Sequence, residues 1–146
     1  MRFSARVSYG LRAASFLAER FGAGPVLGRE ISEAEALPGA YLEQIMASLR
    51  RADLVTGTRG VRGGYVLTRR PGEITLTDLV TALEGPIELS ECPGGPSCCA
   101  SPELCAVREV FGEAEAALVG VFDSHTLTDL VVRRQRLRER GTTYHI

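Results

Sequence analysis

The chain has 146 residues, 45% of them hydrophobic and 24% charged, and a formal net charge of −1. That size and balance fit one globular domain with a real core; they exclude a disordered or membrane-like chain, and no apolar run reaches the ~18 residues of a spanning helix. The small net charge conceals a segregation, since residues 1–70 sum to +5, residues 71–132 to −10 and residues 133–146 to +4. A basic first half on an acidic body is the footprint of a protein that offers one face to nucleic acid.

Val7 to Glu19 places Val7, Leu11, Ala14, Leu17 and Ala18 on one helical stripe, with Ser4 as a candidate N-cap. Phe21-Gly22-Ala23-Gly24-Pro25 ends that helix, because Gly and Pro continue it only at a cost. A short helix is expected over Gly28–Ala36, closed by Leu37-Pro38-Gly39. The next, Ala40 to Ala52, turns Leu42, Ile45, Met46 and Leu49 inward and leaves Tyr41, Glu43, Gln44, Arg50 and Arg51 elsewhere on its surface. After Asp53 the apolar period changes to alternation, so Leu54–Thr58 and Tyr65–Thr68 read as two strands. Between them Arg59-Gly60-Val61-Arg62-Gly63-Gly64 allows a tight hairpin carrying two Arg. Three helices and a hairpin with a basic tip make a mainly α fold, a winged helix-turn-helix.

Further on, Thr75–Glu84 reads as a helix stopped by Gly85-Pro86, and residues 86–102 as a loop rich in Gly, Pro and Ser. A long helix is expected from about Glu103 to Phe122, with Leu104, Val107, Val110 or Phe111, Ala114, Leu118 and Val121 as its apolar stripe. Ser124-His125-Thr126 breaks it, Thr128 to about Arg140 forms a last helix, and Gly141–Ile146 is expected to fray. The organisation this gives is a winged-helix domain over 1–84, a cysteine-rich loop over 85–102, and a helical region over 103–146.

Two constellations carry function. In the first, the helix Ala40–Ala52 is placed to enter a major groove and the Arg59–Gly64 tip a minor groove, where the negative potential is strongest. Glu43 and Gln44 suit base edges, since a carboxylate accepts from cytosine and an amide pairs with adenine. Arg50, Arg51 and Arg62 suit phosphate, which sets register without reading sequence. Tyr41, Arg59 and Gly60 complete the candidate DNA surface. An ordinary charged helix and a Gly-rich loop would be the plainer account of the same residues.

The second constellation is Cys92, Cys98, Cys99 and Cys105. The start, Met1-Arg2-Phe3-Ser4-Ala5-Arg6, lacks the apolar stretch of a secretory leader, so a cytoplasmic setting with reduced thiols is expected. Reduced cysteines in a cluster are metal ligands or redox groups, and thiolates are the soft donors an iron–sulfur cluster requires. A structural zinc site, a reversible disulfide or plain loop cysteines stay open, although the spacing departs from the paired CxxC of zinc ribbons. Adjacent Cys98 and Cys99 rarely both bind one metal atom, which leaves one as a spare or exchangeable ligand. His125 and His145 are the only histidines, and neither is placed as a ligand. No phosphate loop, nucleophilic triad or paired carboxylate site is present in the pattern, so no enzyme activity and no small-molecule substrate are expected.

Tyr41-Leu42-Glu43-Gln44, Leu54-Val55, Arg59-Gly60-x-x-Gly63-Gly64-Tyr65 and the cysteine loop, in that order, resemble the family of winged-helix regulators that includes IscR and NsrR. The resemblance runs from Met1-Arg2-Phe3-Ser4 to His125-Thr126-Leu127-Thr128-Asp129-Leu130-Val131. It implies a homodimer built on the long helix, an iron–sulfur cluster (2Fe–2S or 4Fe–4S) in the cysteine loop, and binding to double-stranded operator DNA controlled by that cluster. Glu43, Gln44 and Arg59 fall where that family reads DNA. Two markers differ: Arg108 stands where IscR-type relatives carry a histidine ligand, and Ser8 where NsrR-type relatives carry an aspartate. The ligand set expected here is therefore all cysteine: Cys92, Cys105 and one or both of Cys98 and Cys99. A small iron–sulfur redox protein, or a winged-helix protein-interaction module with structural zinc, are the alternatives.

Overall fold

The computed structural model describes residues 3–89 and 105–143, with the side chains of Thr142 and Thr143 excepted. Most of the expected cysteine loop, with Cys92, Cys98 and Cys99, lies outside the described residues. The elements run α1 (Ala5–Glu19), α2 (Gly28–Glu35), α3 (Gly39–Arg51), β1 (Val55–Thr58), β2 (Gly64–Leu67), a 3-10 turn (Pro71–Glu73), α4 (Leu76–Glu84), α5 (Ala106–Asp123) and α6 (Leu127–Thr143). None of these helices is long and apolar enough to cross a membrane.

Helix α1 is the spine, burying Val7, Ala13, Ala14, Phe16 and Leu17. Ser4 stands at its N-cap in extended conformation, but its side chain makes no cap. Instead the Ser4 N–H donates to both carboxylate oxygens of Glu84 at 3.3 Å, tying the start of α1 to the end of α4. Gly10 permits the close packing of these two helices, since a Cβ there would lie 2.3 Å from Leu83 Cδ1. Helix α2 ends at Ala36, a left-handed residue with φ 52°, and α3 follows to complete the helix-turn-helix. Leu42, Ile45, Met46 and Leu49 are buried, as the 3.6-residue period of the sequence requires.

Strands β1 and β2 pair antiparallel in the register Val55↔Leu67, Thr56↔Val66, Gly57↔Tyr65 and Thr58↔Gly64. Val26 adds a single rung on the far side of β2: its N–H donates to Tyr65 O at 3.0 Å, and Tyr65 N–H donates to Val26 O at 2.8 Å. The hairpin is thus held to the body between α1 and α2 rather than hanging free.

Helix α4 opens with a reciprocal cap, Thr75 Oγ1 accepting from Asp78 N–H (3.1 Å) and the Asp78 carboxylate from Thr75 N–H (3.0 Å). A second such cap opens α6, where the Asp129 carboxylate accepts from the N–H and hydroxyl of Thr126, both at 2.8 Å. These bonds hold the Asp129 carboxyl below the ordinary carboxylate range, first through the Thr126 N–H, then its hydroxyl, with the Arg133 guanidinium adding positive charge nearby. The two cap segments are sewn together, Leu76 N–H to His125 O (2.9 Å) and Leu127 N–H to Ile74 O (3.0 Å), and Leu127 is fully buried.

Two helix ends differ from expectation. Cys105, φ −83° and ψ 96°, is extended and caps α5, so the helix starts at Ala106 and not at Glu103. Helix α6 continues through Gly141 to Thr143 instead of fraying after Arg140. The stripe on α5 also divides. Leu118, Val119 and Phe122 pack on the core, while Val107 (63% exposed), Val110 (64%), Phe111 and Val121 face out.

Candidate nucleic-acid interface

Helix α3 presents Glu43, Gln44, Arg50 and Arg51 as exposed residues and Tyr41 as half-buried. Tyr41 is fixed from below by Tyr9 of α1, the rings meeting edge-on at 5.7 Å. A groove of about 460 Å³ lies between the first turns of α2 and α3, walled by Gly28, Arg29, Ser32, Gly39, Glu43 and Tyr65. Two helix N-termini therefore open toward the same groove, where free N–H groups favour a phosphate oxygen. Arg29 and Ser32 escaped the sequence reading because α2 is short and gave only a weak apolar stripe.

At the hairpin tip Arg59, Gly60, Val61 and Arg62 are all exposed, Val61 at 99%. Gly63 N–H closes the turn on Gly60 O at 2.9 Å. A Cβ at Gly63 would lie 2.2 Å from Thr58 O, and one at Gly64, where φ is +144°, would lie 2.4 Å from Val26 O. Both contacts are with backbone, so glycine is required at each. Arg50 does not project freely: a Cβ on Gly57 would come within 3.3 Å of its Nη1, which places the guanidinium across β1. It remains exposed there. Arg51 donates to Ser48 Oγ at 2.6 Å.

Behind this face lies an ion-pair network that sequence spacing could not reveal. Glu35, 3% exposed at the end of α2, pairs with Arg12 of α1 (3.2 Å) and with Arg134 of α6. Arg134 also reaches Glu19 (3.4 Å), as does Arg138 (3.3 Å). The last helix is thereby locked to the back of the helix-turn-helix. His125 sits at the α5–α6 corner between Val121 O (2.8 Å) and Arg133 (2.7 Å), a structural position.

Of the four cysteines, Cys105 alone is among the described residues. It is half-buried and free, and it forms the N-cap of α5. No three His, Cys, Asp or Glu gather to hold a metal ion among the described residues.

A helix-turn-helix followed by a two-stranded hairpin with an arginine tip defines a winged-helix DNA-binding regulator. A family model described as Rrf2, iron-dependent transcriptional regulator, matches residues 3–133. The chain belongs to the Rrf2 family of transcriptional regulators. The regulator CymR of Bacillus subtilis (strain 168) is 38% identical over 130 residues, 89% of each chain. The structure of CymR, described as the global cysteine regulator of B. subtilis, superposes with a TM-score of 0.78 at 37% identity, covering 91% of this chain and 98% of that one. T. potens IscR superposes with a TM-score of 0.72 at 33% identity, covering 92% of this chain and 88% of that one.

Proposed function

We propose that this regulator acts in the cytoplasm as a homodimer whose fit to operator DNA is set by an iron–sulfur cluster held by Cys92, Cys105 and one or both of Cys98 and Cys99. Supporting this reading is the position of Cys105, which is the last residue of the cysteine segment and the first cap of α5. Anything that binds this thiolate acts directly on where α5 begins. Helix α5 in turn exposes Val107, Val110, Phe111 and Val121, an apolar stripe that one chain leaves uncovered and a second copy would bury. The donor set fits the group, because thiolates are the soft ligands such clusters take. When bound, the cluster supplies a covalent tie between the start of the cysteine loop and the start of α5.

In this account Glu43 and Gln44 read base edges, Tyr41 packs beside them, and Arg50, Arg51, Arg59, Gly60 and Arg62 meet the backbone and the narrow groove. A preference of about 2.8 kcal/mol between two head spacings changes affinity a hundredfold. The likeness to CymR, described as a global cysteine regulator, favours a second reading, in which the signal is cysteine and not the state of a cluster. Anaerobic purification separates the two. The cluster reading expects iron and sulfide with a visible charge-transfer band; zinc alone, or metal-free protein that binds DNA normally, would overturn it.

A further inference from the structure

Two cations share one buried hydroxyl where α1 passes the end of α3. Arg6 Nη2 and Arg51 Nη2 both donate to Ser48 Oγ, and Ser48 is only 2% exposed. Their nitrogens therefore lie within about 5 Å of each other, a separation at which like charges repel. No carboxylate among the described residues pairs with either guanidinium. Arg6 Nε is buried and makes no hydrogen bond. A serine oxygen can accept from both cations, but it brings no charge to balance them. What the arrangement lacks is an anion.

The location says which anion. Gln44, Ser48 and Arg51 follow at i, i+4 and i+7, so they share one stripe of α3. Helix α1 runs antiparallel beside that stripe, Tyr9 against Tyr41 and Arg6 against Ser48. The seat thus flanks the base-reading face at its C-terminal end. A helix laid in a major groove has phosphodiesters on its flanks, and a forked guanidinium pair matches their oxygens.

We propose that Arg6 and Arg51, gathered on Ser48, form a phosphate seat that takes one backbone phosphodiester per head and draws α1 into the DNA footprint. The proposal rests on α3 and the wing being the DNA face. The test uses the full chain and fluorescence anisotropy, with a duplex from upstream of its own gene and a random duplex of equal length, across a chloride series. Arg6→Gln is expected to weaken both duplexes about 3- to 10-fold, leave their ratio unchanged, and lower the log K against log salt slope by about 0.9 per head. Arg6→Lys is expected to restore most of the slope. Inorganic phosphate is expected to compete no better than chloride of equal ionic strength.

If Arg59→Ala shifts binding while Arg6→Gln does not, the seat is overturned and the DNA face stands. If neither variant shifts it, the DNA face itself is wrong. Phosphate competing above chloride with the wild type, but not with Arg6→Gln, would make the seat a free-anion site and overturn the backbone assignment. Should Arg6→Gln fail to fold by circular dichroism, Arg51→Gln is read by the same criteria.

Discussion

Replacing Gly64 with alanine tests the claim that the wing is held to the body by one rung. The new Cβ would lie 2.4 Å from Val26 O and 2.5 Å from the Val26 carbonyl carbon, where contact distances of about 3.5–4.0 Å are comfortable. Both neighbours are backbone, so no rotamer relieves the overlap and the strand must retreat by about 1 Å. That breaks the paired bonds between Val26 and Tyr65 (3.0 and 2.8 Å), each worth about 1 kcal/mol net. The left-handed backbone at φ +144° adds about 1–3 kcal/mol for a residue with a side chain. The total, about 3–5 kcal/mol, is a large share of a typical domain's stability of roughly 5–15 kcal/mol. Gly22→Ala is the control, because φ is +85° but nothing lies within 4 Å of its Cβ. It carries the conformational part without the clash. Urea unfolding at fixed protein concentration reads the stability, and amide exchange at Tyr65 reads the rung. A Gly64→Ala loss no larger than that of Gly22→Ala, with the Tyr65 amide still protected, would refute the reasoning.

Arg59→Ala should weaken DNA binding and flatten its salt dependence by about one phosphate contact per head, measured by anisotropy across a salt series; an unchanged isotherm would remove the wing tip from the interface. Arg134→Ala leaves the buried Glu35 carboxylate to Arg12 alone and should cost about 1–3 kcal/mol in thermal or urea unfolding, less than a fully broken buried pair because one partner stays. An unchanged midpoint would show that α6 is not locked to the reading head. The Asp129 carboxyl is held below its ordinary value of 3.8, so the stability it lends is fully present above that pH and is lost as pH falls through the lowered pKa. Acid unfolding of wild type and Asp129→Asn should therefore diverge above that window and converge below it, and parallel profiles would contradict the cap.

How far the sequence could be read depended on whether a feature was local. Leu42, Ile45, Met46 and Leu49 announce their buried face because a helix repeats every 3.6 residues, and that period needs no knowledge of the partner. The hairpin was legible because Gly60, Gly63 and Gly64 punctuate two alternating runs. Val26 was not, since a single residue forming one rung has no periodicity at all. Glu35 carries no local signal; its burial goes with Arg12, 23 residues earlier, and Arg134, 99 residues later. Arg6 and Ser48 were silent for the same reason, 42 residues apart and joined only by the packing of α1 on α3. Arg50 read as a phosphate ligand because it is cationic on a helix face; its closeness to Gly57 of β1 is a contact between distant segments that no spacing announces. The start of α5 was misplaced because Glu103 and Leu104 suit a helix, whereas Cys105 is held extended at its threshold.

The central claim is that thiolate ligation at the head of α5 governs how the two reading heads meet DNA. The direct measurement is the Kd for one operator duplex, taken by anaerobic anisotropy on a single preparation before and after the cluster is removed, at constant salt. The account predicts a change of tenfold or more, abolished in a Cys92→Ala, Cys105→Ala protein that remains dimeric. Superimposable isotherms for the loaded and stripped protein would contradict it.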